Sequence, residues 1–309
     1  MNNINKIKTI LSLLLSIFLV SCSYTHAPKN NLTEDPPSDH VDDRIARIYE
    51  IVDVNGVMGN YRNPITASNQ STKEDVGVTS KIVSLGTRDV NACYKETILW
   101  SIGDTKTHIY EFENGHVGYR DDGSLYTVYD KTALFTLDLN KISTIDELDD
   151  ILRSATRKWV DLSDFELYNT TTDEILDDRI GVASAQYAKI VNGFIVDLTT
   201  ILIDGDGTVD VIMGQETKIT GVEQLKLLLA VDEKYEKEVI TLKLKDMFEN
   251  ENRTLASKDY TVSDKVAYMY NGELCILYNN INVEVTYQGE DRKSVVGCNI
   301  LVPVSVLVS

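Results

Sequence analysis

A chain of 309 residues with 48 acidic against 30 basic side chains, formal net charge −18 at pH 7, repels phosphate backbones and anionic headgroups, which excludes a nucleic-acid partner. With 43% apolar residues and 16 tyrosines it has enough to bury, which excludes a disordered chain. Four cysteines, Cys22, Cys93, Cys275 and Cys298, stand at spacings that match neither a disulfide framework nor a zinc site.

Lys6 and Lys8 precede an apolar run over residues 10–20. At about ten residues it is too short to span a bilayer, but it has the length and flanks of a cleavable signal core. The run closes in Leu19-Val20-Ser21-Cys22, and small residues before a cysteine directly after such a core resemble the lipobox of bacterial lipoproteins. The resemblance implies that residues 1–21 are a signal peptide and that Cys22 is the lipidated first residue of the mature chain. It also implies that the protein is held on the cell membrane by that anchor, facing outside the cytoplasm. Residues 22–42 hold three of the five prolines among polar residues and read as a flexible tether.

Residues 43–140 read as a β-rich region, with a polar surface loop over 65–80. From Lys81 to Asp138, alternating stretches such as Tyr126-Thr-Val128 lie between the turn signals Asn114-Gly115 and Asp121-Asp122-Gly123. The clearest helix opens the next region, 141–215. Thr144 and Glu147 form a capping box, and Leu148, Ile151, Leu152, Ala155 and Trp159 recur at helical spacing. Strands follow around 164–168 and from Val182, with turns at Asn192-Gly193 and over 204–207.

Region 216–309 starts with a second, shorter helix, for which Thr220 and Glu223 suggest another capping box. Residues 239–249 are ambiguous: Ile240, Leu242 and Leu244 alternate as in a strand, yet their flanks are helix formers. Strands end the chain. Reading Asn279-Asn280 as a hairpin turn sets Leu274, Ile276 and Tyr278 opposite Val285, Val283 and Ile281 on one apolar face. Cys275 then points to the other face, whereas Cys298 shares the apolar face through Val296-x-Cys298-x-Ile300-x-Val302. Cysteines so placed cannot reach disulfide distance, so buried thiols are expected.

The segment Tyr187-Ala-Lys-Ile-Val-Asn-Gly-Phe-Ile-Val-Asp-Leu, then Ile201-Leu-Ile-Asp-Gly-Asp-Gly-Thr-Val, resembles a stretch of PepSY-type and related propeptide-like extracytoplasmic domains, over residues 144–213. In that group a helix precedes two strands with an Asn-Gly turn between them. The resemblance implies a non-enzymatic module that binds or restrains another extracytoplasmic protein. It supplies no catalytic residue.

Among residues that carry chemistry, Asp204-Gly-Asp206-Gly-Thr-Val-Asp210 is the most ligand-like. It reads as a Gly-rich hairpin turn, with a calcium loop as the alternative, although the closing glutamate of such a loop is missing. His108 and His116 are the histidines outside the tether, and a hydrolytic site would need one of them with a serine or Cys93 brought near it in space, a dyad of Cys93 with either remaining open. No Gly-x-Ser-x-Gly elbow, His-Glu-x-x-His motif or dinucleotide glycine motif occurs. No cofactor is implied.

The expectation is an α+β protein, with antiparallel sheets packed against a few helices and two related helix-plus-sheet modules at 141–215 and 216–309. Function reads as binding or regulation of an envelope protein partner by a lipid-anchored, non-enzymatic module. A solute- or glycan-binding lipoprotein, marked by a cleft lined with Tyr and Trp, is the alternative; an envelope hydrolase is third.

Overall fold

The computed structural model describes residues 52–53, 70–73, 77–86, 88–100, 105–172, 182–249, 252–290 and 293–308. Cys22, the signal segment and the tether lie outside the described residues.

In chain order the first strands are β1 (Val52–Asp53), β2 (Gln70–Thr72), β3 (Ser80–Leu85), β4 (Arg88–Leu99), β5 (Lys106–Phe112), β6 (Gly115–Arg120), β7 (Leu125–Asp130) and β8 (Phe135–Thr136). Helix α1 (Ile145–Thr156) precedes β9 (Glu166–Thr172), β10 (Val182–Val191), β11 (Phe194–Leu202), β12 (Thr208–Val209) and β13 (Val211–Lys218). Helices α2 (Val222–Leu229) and α3 (Glu233–Phe248) precede β14 (Arg253–Thr261), β15 (Asp264–Tyr270), β16 (Glu273–Tyr287) and β17 (Lys293–Pro303).

The balanced α+β expectation is overturned. Of the described residues 55% are strand and 20% helix, and fifteen strands join one mixed sheet that carries only three α-helices. The physical reason is long-range pairing. β13 pairs with β7, and β11 runs parallel to β15, so segments that read as separate antiparallel sheets share one hydrogen-bonded ladder. The main path runs β1-β17-β16-β15-β11-β13-β7-β6-β5-β4-β2, with β3, β9, β10 and β14 branching from it.

Two cores lie under the helices. Leu148 and Leu152 of α1 pack with Val83, Ala92, Tyr110, Val117, Val128 and Tyr187. Leu228 of α2 and Val239, Ile240 and Leu244 of α3 pack with Phe194, Ile276, Tyr278, Ile300 and Val302. A third, smaller cluster holds Ile195, Val266, Cys275, Leu277 and Leu301.

Helix α1 forms as its capping box dictates. The Thr144 hydroxyl accepts from the Glu147 N–H at 3.2 Å, while Glu147 accepts from the Thr144 N–H. The second expected box does not form. Helix α2 starts one residue later, with Gly221 at the N-cap and no side-chain cap, so Thr220 falls outside capping reach. The ambiguous stretch 239–249 is helical as far as Phe248. Ile240 and Leu244 are buried whereas Leu242 is exposed, so the apparent alternation is one helical face interrupted by a solvent position.

Asn279-Asn280 is not a hairpin turn. Strand β16 passes straight through it, and the pairing with β17 shifts register there, with Asn280 at φ 50°. A bulge rather than a turn follows because β14, β15 and β17 all pair along β16 and hold it extended. The cysteine argument survives the loss of its premise. Cys275 and Cys298 are buried in different clusters, on opposite faces of the sheet, and neither forms a disulfide. Cys93, the third described thiol, is exposed.

Candidate functional site

The residues singled out for chemistry fall into three places. In the first, alternation along β4 to β7 puts Ala92, Tyr110, Val117 and Val128 toward α1. Their neighbours Cys93, Glu111, His116 and Tyr129 therefore face the other way, and each stands directly opposite the next across the sheet. Glu111 thus separates Cys93 from His116, which lie two strand spacings apart, roughly 9.5 Å. Glu111 accepts from Lys95, and the His116 ring leans on Tyr129 at 5.5 Å. Burial pushes the His116 imidazole below its ordinary value; Glu111 opposes that shift and Lys95 adds to it. No Cys93–His116 dyad forms.

Beside this row lies an open cleft of about 500 Å³, lined by Ser71, Thr72, Lys73, Cys93, Tyr94 and Lys95 with Glu96 and Glu111. Its walls are charged and hydroxylic, and Tyr94 is its single aromatic ring. That is not the Tyr- and Trp-lined groove on which a glycan-binding reading depends.

In the second place, His108 points to the α1 side, away from Cys93, so that dyad is also absent. Its Nδ1 meets Thr97 Oγ1 at 2.8 Å and its Nε2 meets Asp121 Oδ1 at 2.8 Å. Tyr94 Oη completes the chain at 2.8 Å from Thr97 Oγ1. A hydroxyl, an imidazole and a carboxylate in series is the geometry of an activated nucleophile. Thr97, however, is 0% exposed, so no substrate carbonyl reaches its oxygen. The array ties β4 and β5 to the β6–β7 turn. Sequence reasoning missed Thr97 and Asp121 because the array is assembled by cross-strand register, and no local motif marks it.

The third place is the acidic turn after β11. The Gly207 N–H donates to the Asp204 carbonyl (2.7 Å), and Asp206 Oδ1 accepts from the Thr208 N–H (2.9 Å). Gly207 has φ 85°, and a Cβ there would stand 2.2 Å from the Leu137 carbonyl, so the turn requires glycine on both counts. Burial raises the Asp210 carboxyl, and repulsion from Asp204 adds to the shift. Among the described residues no group of three or more His, Cys, Asp or Glu is placed to hold a metal ion.

Buried charges elsewhere tie elements together. Asp130 is fully buried and accepts from Arg88 (2.6 Å) and from the Thr132 N–H and hydroxyl. Burial opposes its ionisation, yet those donors hold the carboxyl below the usual range.

What the described surface does offer is an open strand edge. Of the terminal and branching strands, β1 has two residues and β2 three. The β14 pairing breaks register between Leu255 and Tyr260, and α3 packs along that strand. The β9 pairing shifts register twice, and its Tyr168 hydroxyl bonds across to Asp264 at 2.7 Å. By contrast β3 keeps six residues in unbroken register with β4 and has no second partner among the described residues, a condition shared by residues 293–298 of β17, which open with the charged Lys293.

No helix among the described residues is long and apolar enough to cross a membrane. No family model matches the chain, and no curated protein or solved structure matches it.

Proposed function

We propose that this chain is a lipid-anchored, extracytoplasmic, non-enzymatic binding module that acts on an envelope protein partner. The partner's extended segment adds to the sheet along β3. The observation that carries the reading is the β3 edge, regular over six residues and paired on one side only among the described residues. Strand addition draws affinity from such backbone groups and specificity from alternate side chains. Two further facts support it. Among the described residues Glu111 separates Cys93 from His116, and the hydroxyl that bonds the His108 ring is the buried Thr97, so neither expected pairing offers a reachable nucleophile. The cleft lacks the aromatic lining of a sugar site. The membrane anchor rests on the lipobox resemblance at Cys22.

The test places a photo-crosslinking residue at Ile82, 79% exposed on β3, or at Val222, a 65% exposed control on helix α2 away from any strand edge, in the full chain in its own membrane. One envelope protein captured from Ile82 and absent from Val222 supports the reading. Capture of nothing, or of the same proteins from both, overturns it. The anchor is tested separately: Cys22→Ala moves the chain from the membrane fraction to the soluble one, and an unchanged distribution removes lipidation from the proposal.

A further inference from the structure

Strand β3 has outward-facing groups that can be assigned one by one. The Tyr94 N–H donates to the Thr79 carbonyl at 2.9 Å, which makes 79 and 94 a hydrogen-bonded pair. In an antiparallel ladder such pairs alternate along the strand. Lys81, Val83 and Leu85 therefore turn their N–H and C=O groups toward β4, and Ser80, Ile82 and Ser84 turn theirs outward. No other strand among the described residues takes those outward groups. The side chains of the same three residues are exposed, and Ile82 is 79% exposed, the most exposed large apolar side chain among the described residues.

Native edges are blunted by charge, proline or bulges. Here residues 77–86 contain no aspartate, glutamate or proline in a chain with 48 acids. The one lysine, Lys81, is drawn away from the edge onto the Tyr119 ring, 4.0 Å from its centroid, and the Tyr110 ring at 5.0 Å. The outward pattern Ser80-Ile82-Ser84 is also symmetric about Ile82.

We infer that the occupant of this edge, when no other partner is present, is the β3 strand of a second copy of the chain, paired antiparallel about Ile82. A two-fold axis through Ile82 sets Ser80 opposite the second copy's Ser84, and Ile82 opposite its Ile82. Backbone groups of the central pair then exchange both hydrogen bonds, and the two isoleucines cover each other at about 5.5 Å between Cα atoms. On the other face Lys81 meets Val83 of the second copy rather than a like charge. The absence of carboxylates matters most here, because a net charge of −18 on each copy opposes association everywhere else. A six-residue strand pair buries less than the ~1,600 Å² of a standard interface, so the dimer is concentration-dependent. An envelope segment that binds the same edge displaces the second copy.

The inference shares its edge with the functional reading but needs no envelope partner, so either can fail alone. The experiment is sedimentation of the purified full chain in detergent over a range of concentration, for the native sequence, Ile82→Lys and Ile82→Pro. Lysine at an exposed edge position leaves the core untouched, and proline removes an N–H that β4 does not use. The expected result is a doubling of sedimenting mass with concentration for the native chain, and a constant monomer mass for both variants that fold. A native chain that stays monomeric overturns the inference. So does a dimer that persists in Ile82→Lys.

Discussion

Helices α1 and α3 solve the same problem, attachment to one face of the sheet, by opposite means. Helix α1 is held by an apolar stripe: Leu148 and Leu152 are fully buried, and its first turn is closed by Thr144 and Glu147. Arg153 adds bonds to the carbonyls of Leu162 and Phe165 beyond the helix. Helix α3 buries Val239, Ile240 and Leu244, but also the charged residues Glu236 and Lys243. Glu236 is 3% exposed and accepts from the Tyr278 hydroxyl on β16 and from Lys265 on β15, each at 2.8 Å. Burial first, then Glu236, raises the Tyr278 phenol well above its ordinary value, so it stays a donor. The lesson is that a buried charge with two donors fixes a helix at one spot, whereas a stripe fixes a line.

The sharpest way to break that contrast is Glu236→Ala. It leaves a buried tyrosine hydroxyl and a lysine without their acceptor, and the expected loss is about 4 kcal/mol in denaturant unfolding. Glu236→Gln, which keeps an acceptor for Tyr278, is expected to cost less. Equal costs would mean that the charge is irrelevant. Leu152→Ala opens a cavity under α1, with an expected loss of about 3 kcal/mol. A loss under 1 kcal/mol would show that the stripe does not carry α1. Thr144→Ala removes one cap bond and is expected to cost about 1 kcal/mol, with hydrogen exchange rising in the first turn of α1 and not in α3.

Acid provides the smallest and most local contrast. His116 lies in the half of the sheet beneath α1, and no histidine lies in β14 to β17. Its folded value is below the ordinary 6.5, so the unfolded chain binds the proton more readily. Stability from this group is intact above about pH 6.5 and is lost as pH falls from there toward the folded value. Hydrogen exchange is therefore expected to rise in β4 to β6 before β15 to β17 on acidification. In His116→Gln that difference should shrink; an unchanged gap would assign it to other groups.

Legibility in the sequence follows the same division. Helix α1 was readable because a cap and a stripe are local signals. Helix α3 was not, because Glu236 and Lys243 occupy core-facing positions where a periodicity argument expects apolar residues. Asn279-Asn280 misled because the same dipeptide serves a turn or a bulge, and only the strands on both sides of β16 select the bulge. The separation of Cys275 from Cys298 was readable even so, since period-two alternation on either side of the bulge keeps its sense. Of the candidate site, His108 was visible and its partners Thr97 and Asp121 were not.

By itself the sequence determined the net charge, the capped helix over α1, the glycine-dependent turn after β11 and the faces of the two buried cysteines. Each of these depends on composition or on residues a few positions apart. Only the tertiary structure decided that the segments join one mixed sheet, that His108 and His116 stand apart from Cys93, and that β3 is a regular edge without a second partner among the described residues. These depend on which strand pairs with which, and the partners can be distant in the chain: β7 meets β13 and β11 meets β15, while β3 has only its neighbour β4 among the described residues. Hydrogen bonds of the backbone are the same for every residue, so no side-chain pattern along one strand announces its neighbour.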